Sequence, residues 1–274
     1  MLNDQERQYI YRHAYLPEHL PDYVGSVSGA EPFLHHNYLY FIGKKHLIFN
    51  GYPLEPHSDP PERIYDFICE RCQPTTVAVI ASAIWLPAEQ YEQEATDSYY
   101  RLDLPLRLVN AAVAYMLRRA RRDLQVMRGD FGREHQKIIK VFVSVHNFNR
   151  QQKYLFKHIP QYLKASSSAV LFEVRREKEL VAFNIVDLGA ADYAFYLFSF
   201  RSRKINVPGA SDLLFFEMVN LAHTKGKKAV NLGLGVNAGI RRFKKKWGGV
   251  PFLKYFSILV DKREVDIGRL ARKL

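Results

Sequence analysis

Polar and apolar residues alternate along this chain with two periods, and the switches between them mark out its elements. The segment Asp4 to Tyr15 reads as a short helix. Tyr38 to Gly43 and His46 to Tyr52 alternate on either side of Lys44-Lys45 and predict a hairpin. Pro60-Pro61-Glu62 opens a helix in which Ile64, Phe67 and Ile68 fall at helical spacing, and Pro74 closes it. Thr76 to Trp85 reads as a buried strand. Tyr99 to Leu104 alternates as another and stops at Pro105, which introduces a helix from Leu106 to Asp123 with Leu108, Ala112, Tyr115 and Ala120 on its apolar side. Leu124 to Arg128 is a short strand, so the first half reads as a mixed α/β lobe.

The second half has a plainer pattern. Two helices, about Arg133 to Ser144 and Asn149 to Leu163, end at the polar run Lys164-Ala165-Ser166-Ser167-Ser168. Three strands with tight connections follow, Ala169 to Arg176, Leu180 to Leu188 and Tyr193 to Ser199, and predict an antiparallel meander. A helix from Ser211 to Lys225 has Ser211 as its N-cap and Gly226 as its stop. A strand from Ala229 to Leu234, a short basic helix from Ala238 to Trp247 and a strand from Phe252 to Val260 complete the order. The charged, Gly-containing stretch Gly129 to Arg133 is the expected boundary, giving lobes of residues 1–130 and 131–274.

Charge narrows the partners without choosing one. Forty Lys and Arg against 28 Asp and Glu leave +12, an excess that favours nucleic acid, phosphorylated substrates or anionic lipid surfaces. The basic residues cluster at Arg118 to Arg122, read as a solvated helix end or a surface for tRNA or lipid headgroups, and at Arg241 to Lys246. Cys69 and Cys72 are the two cysteines, and a structural zinc site would need two more ligands at suitable spacing. They read as helix-face residues in a reducing, cytoplasmic protein. The start Met1-Leu2-Asn3-Asp4-Gln5-Glu6 lacks the pattern of a secretory signal. The longest apolar run, Val77 to Ala88, is shorter than the roughly 20 residues a spanning helix takes.

The span Asn231-Leu232-Gly233-Leu234-Gly235-Val236-Asn237-Ala238-Gly239-Ile240-Arg241-Arg242-Phe243-Lys244-Lys245-Lys246-Trp247-Gly248-Gly249 resembles the end of FemAB-like transferases. There a strand leads to a Gly-rich turn, a short helix with an aromatic-Lys pair, and an aromatic-Gly-Gly. With the upstream elements the resemblance runs from about Asn149 to Val260, in the element order of the GNAT fold, and covers the first half in outline. It implies two GNAT-like lobes of mixed sheets with helices packed on them and a cleft between, and transfer of an acyl or aminoacyl group onto an amine. The donor would be acyl-CoA or aminoacyl-tRNA, with no metal. The acceptor would be a small molecule or a cell-envelope precursor, and tRNA and a peripheral membrane contact enter as partners.

In the GNAT donor loop, helix N-terminal amides face the pyrophosphate of acyl-CoA. The family pattern is Gln or Arg, two residues, Gly, one residue, Gly or Ala, and Asn206-Val207-Pro208-Gly209-Ala210-Ser211 matches it in part. The bland reading is a Pro-Gly turn with a Ser cap, and Asp212 in the first turn would repel phosphate. Where many GNAT enzymes carry a Tyr that protonates the leaving thiolate, this sequence has Phe243, which has no proton to give. The leaving group would then be handled by Lys244, by Asn237 or by the substrate's own groups. By resemblance, Arg150 and Tyr154, four apart on one helix face, together with Tyr196 and Arg241, would hold the acceptor. Against this, Tyr196 reads equally as core, Arg150 and Tyr154 as a solvated pair, Lys245 and Lys246 as surface charges, and Glu217 and His223 as helix-face residues. The rival function is a GNAT-fold protein that binds nucleic acid or an anionic glycan or lipid without chemistry.

Overall fold

The computed structural model describes residues 2–106 and 111–262. Helix α1 (Asp4–His13) starts where Asn3 accepts from Glu6 N and Glu6 returns a carboxylate to Asn3 N, a reciprocal cap. Pro21 opens α2 (Pro21–Ser28), which stops at the left-handed Gly29. That helix and strand β1 (Glu31–His35) were not legible as a period. β1 carries a proline and lies at a sheet edge, where a missing N–H costs no ladder bond.

The expected hairpin is β2 (Tyr38–Gly43) and β3 (His46–Asn50), with Gly43 opposite His46. Helix α3 (Pro61–Cys72) carries Cys69 and Cys72, both free. β4 (Thr76–Ala81) is shorter than expected. Trp85 leaves the strand and packs edge-on against Phe49 and Tyr65 in the core. β5 (Gln93–Asp103) is followed by α4 (Ala111–Asp123) and β6 (Gln125–Arg128); the expected apolar Leu108 lies outside the described residues.

Helix α5 (Arg133–Val145) stands as expected. The single helix expected from Asn149 to Leu163 is two, α6 (Arg150–Lys157) and α7 (Ile159–Ala165), because Pro160 has no N–H to continue the ladder. The meander is β7 (Ala169–Arg176), β8 (Glu179–Asp187) and β9 (Tyr193–Arg201). Then come α8 (Ala210–Thr224), β10 (Ala229–Leu234), α9 (Ala238–Lys246) and β11 (Val250–Asp261). The N-cap of α8 is Gly209, at φ +84, and not Ser211, which falls inside the first turn.

The chain divides into two units, one of residues 30–96 with the end of the chain from 254, the other of residues 2–29 and 97–253. In the first the strand order is β1-β2-β3-β4-β11, and α3 covers its core of Phe49, Tyr65, Ile68 and Val79. In the second it is β5-β10-β9-β8-β7-β6, with α4 and α8 buried against Phe172, Val186 and Trp247. The division differs from the expected boundary at residue 130. Residues 129–133 do not form a linker: Gly129 N donates to Leu171 O, and a side chain at 129 would meet the buried Glu173. β6 pairs with β7 and β5 with β10, and the Tyr15 carbonyl accepts from Asn231. Much of the early sequence thus belongs to the second unit.

Candidate active site

The site grows from an interruption in pairing. β10 pairs in parallel with β9 from Ala229↔Tyr193 to Asn231↔Phe195, and that pairing ends there. Against β5 its register shifts between Asn231 and Leu234. Asn231, wholly buried, accounts for the irregularity: it donates to Tyr15 O at 2.8 Å and accepts from Gly233 N at 2.8 Å. Gly233 takes φ +72, a conformation a side chain resists. Beyond the break, β9 and β10 open a cavity of about 350 Å³. Leu232, Leu234, Ile240 and Phe243 form apolar walls, and Tyr196, Ser199, Arg201, Ser211 and Lys244 bring polar groups. A larger hollow of about 660 Å³ between α5 and α6 contains none of these residues.

From Leu234 the chain turns through Gly235 and Val236 to Asn237, whose side chain accepts from Ile240 N at 3.0 Å and caps α9. This bond occupies the Asn237 oxygen and makes the residue a helix cap. Successive helical residues point about 100° apart, so the basic run cannot face one way. Arg241, Arg242 and Lys245 are exposed, whereas Lys244 is 3% exposed. Its Nζ donates to the Leu234 carbonyl at 2.5 Å and stands 5.4 Å from the centroid of the Tyr100 ring. Burial pushes the ammonium down to about 7, opposed by the charge of Asp97. Burial thus makes the neutral amine far more accessible here than in a free lysine.

Phe243 packs edge-on against Phe215 with centroids 5.3 Å apart, so the aromatic residue before Lys244 is bound into the core as well as lining the cavity. Tyr196 stands edge-on to the same Phe215 at 5.3 Å. Burial pushes its phenol up to about 12, with Ser199 as a hydrogen-bond partner, and it keeps its proton at neutral pH.

The loop before α8 serves partly as packing. Gly209 is fixed by its positive φ and by α4, since a Cβ there would lie 2.8 Å from Met116 O. Val207 and Ala210 are buried, Asn206 accepts from Arg201 at 2.8 Å, and Ser211 lines the cavity. Asp212 is buried and accepts from Trp247 Nε1 at 3.0 Å and from Lys246 Nζ at 2.5 Å. Its charge is thus neutralised rather than presented to a phosphate, and Lys246 is an ion-pair partner rather than a free surface charge.

Of the expected acceptor set, Tyr196 shares the cavity of Lys244. Arg150 is exposed, and Tyr154, 45% exposed, stacks on His158 at 3.8 Å; neither lines that cavity. The stem of Arg241 lies against Gly235. Sequence reasoning missed Asp97, Tyr100 and Arg201. Arg201 ends the third meander strand, and Asp97 and Tyr100 lie on β5, far from the motif in sequence but beside it in space. Among the described residues no group of three or more His, Cys, Asp or Glu is placed to hold a metal ion, and no helix is long and apolar enough to cross a membrane.

No protein-family model matches the sequence, and no curated protein matches it significantly. Solved structures do match in shape. The C-terminal DUF2156 domain of an Agrobacterium fabrum protein named as a lysylphosphatidylglycerol synthetase is 15% identical, with a TM-score of 0.61 over 97% of this chain and 93% of that one. FemX is 12% identical, with a TM-score of 0.62 over 93% and 96%. A tandem GNAT protein from the clavulanic acid biosynthesis pathway is 13% identical, with a TM-score of 0.52 over 84% and 79%. At these identities the likeness is one of fold: this chain shares the mixed α/β fold of these three structures.

Proposed function

We propose that this chain is an acyltransferase that moves an acyl or aminoacyl group from acyl-CoA or aminoacyl-tRNA onto an amine. One observation carries the reading: a lysine buried at the end of an apolar cavity, in the helix and turn that resemble those of FemAB-like enzymes. The neutral amine attacks the donor carbonyl, and negative charge develops on the carbonyl oxygen. The Lys244 ammonium stabilises that charge where water is scarce and the interaction is strong. On collapse the bond to the leaving sulfur or oxygen breaks. The proton lost by the amine is balanced by one gained at the leaving atom, and Tyr196, a protonated phenol in the same cavity, supplies the hydroxyl that Phe243 lacks. Ala210 N already donates to Val207 O, so it is the Ser211 and Asp212 amides at the start of α8, with no carbonyl within the helix to bond, that suit a donor phosphate, with Asp212 already neutralised by Lys246. Arg150, Tyr154 and Arg241 remain the proposed acceptor contacts, and a small molecule or cell-envelope precursor the acceptor class.

Thermal shift with acetyl-CoA, longer acyl-CoAs and charged tRNA tests the donor, because a ligand that binds the folded state alone must stabilise it. One donor class should raise the melting temperature. A flat response to all of them, with salt-sensitive binding of uncharged RNA in its place, would favour a binding protein.

A further inference from the structure

Asp97 is the first residue of the longer stretch of the second unit, where β5 runs beside the β10–α9 turn. Its Oδ2 accepts from Val236 N at 2.6 Å and its Oδ1 from Ser98 N at 2.7 Å, while Gly235 N donates to Ser98 O at 3.2 Å. The turn needs this support. Val236 is held at φ +52, where a β-branched residue is strained. Gly235 has no alternative, since a Cβ there would lie 2.7 Å from Asp97 Oδ1. This turn follows directly from Leu234, whose carbonyl receives the Lys244 ammonium.

We propose that Asp97 is the positioning residue of the Lys244 site: its carboxylate fixes the strained Gly235–Val236 turn and supplies the countercharge to the buried ammonium. The other groups around the lysine do not fill that role. Tyr100 on β5 offers a ring face, and Tyr196 on β9 a protonated phenol. Asp212 on α8 is engaged by Lys246 and Trp247. Arg201 at the end of β9, and Arg241 and Lys245 on α9, are cations. Asp97 is the carboxylate whose charge acts on Lys244, and the same two oxygens hold the turn.

The assignment rests on the transferase reading for its part in turnover, and its geometry is testable without turnover. The Lys244 side-chain signal, assigned by its loss in Lys244→Ala, is followed by heteronuclear NMR across pH in the whole chain. Asp97→Asn keeps an acceptor for Val236 N and removes the charge. It should lower the Lys244 midpoint by roughly one pH unit or more, with a smaller loss of melting temperature than Asp97→Ala, because one of the two acceptors remains. Asp97→Ala should lower the melting temperature as well, and Val236→Gly in that background should restore part of it, because glycine takes φ +52 without strain. Should Asp97→Asn not fold alone, the titration is read in the Val236→Gly background. An unmoved Lys244 midpoint, or a melting temperature of Asp97→Ala equal to that of wild type, would overturn the assignment. In turnover, Asp97→Asn should shift the alkaline limb of the kcat profile to lower pH rather than scale the whole curve. Wild-type turnover in Lys244→Ala alongside a lowered midpoint in Asp97→Asn would sink the transferase reading and leave the role of Asp97 standing.

Discussion

At the scale of single residues, Lys244 links stability to pH and chemistry to pH with opposite signs. Its folded value of about 7 lies below the 10.5 of a free lysine, so between these values the unfolded chain holds the extra proton. Stability contributed by this group is therefore absent below about pH 7 and grows as pH rises toward 10.5, by roughly 1.4 kcal/mol per pH unit at most. Chemical denaturation at pH 7 and pH 9 should show that rise, and Lys244→Met should remove its own part of the slope. If the ammonium is the working form, turnover should instead fall as pH climbs through 7. That one lysine of the run turns inward was legible from helical geometry. That Lys246 is tied to Asp212 was not, because the partners lie 34 residues apart and meet only through the packing of α8 on α9.

At the scale of elements, the meander and the strand–turn–helix that follows were legible because their periods are regular and their stops are Gly or charged pairs. The start of α8 was misread by two residues, since Ser211 satisfies a capping rule in sequence while Gly209 satisfies the sterics against Met116. This changes which substitution tests the donor loop. Gly209→Val would combine a positive φ with a collision and should destabilise the fold by about 2 kcal/mol or more whatever binds there. Ser211→Leu, pointed at the cavity, should leave melting nearly unchanged and weaken donor binding about tenfold. Equal donor affinity in Ser211→Leu and wild type, by calorimetry or thermal shift, would remove the loop from the site.

At the scale of the whole molecule, the +12 charge is unevenly spread. From His135 to Phe172 there is no Asp or Glu, while Lys137, Lys140, Arg150, Lys153, Lys157 and Lys164 all lie there. Lys140, Lys153 and Lys157 line the larger hollow between α5 and α6. Retention on an immobilised polyanion should therefore fall steeply with salt, and replacing these three lysines by glutamate should weaken it more than replacing Lys44, Lys45 and Lys178. Equal effects would mean that net charge, not its placement, sets the attraction. The division of the chain was the least legible feature. The residues before Gly29 and those of β5 and β6 join the second unit through strand pairing and the Asn231 side chain. Such non-local contacts leave no local period in the sequence, and the acidic partner of the buried lysine was hidden for the same reason.

Among the cations of α9 only Lys244 is buried, and it is the one proposed to do chemistry. Lys245 makes the fair control, because it is exposed and free of the Asp212 ion pair that complicates Lys246. With the donor identified and both substrates saturating, kcat is compared for Lys244→Ala, Lys245→Ala and wild type. The structure predicts a loss of about 10²-fold or more in Lys244→Ala, the scale of one lost oxyanion donor, and near wild-type turnover in Lys245→Ala. Equal small losses in the two variants would contradict the account and leave the run as a diffuse positive field.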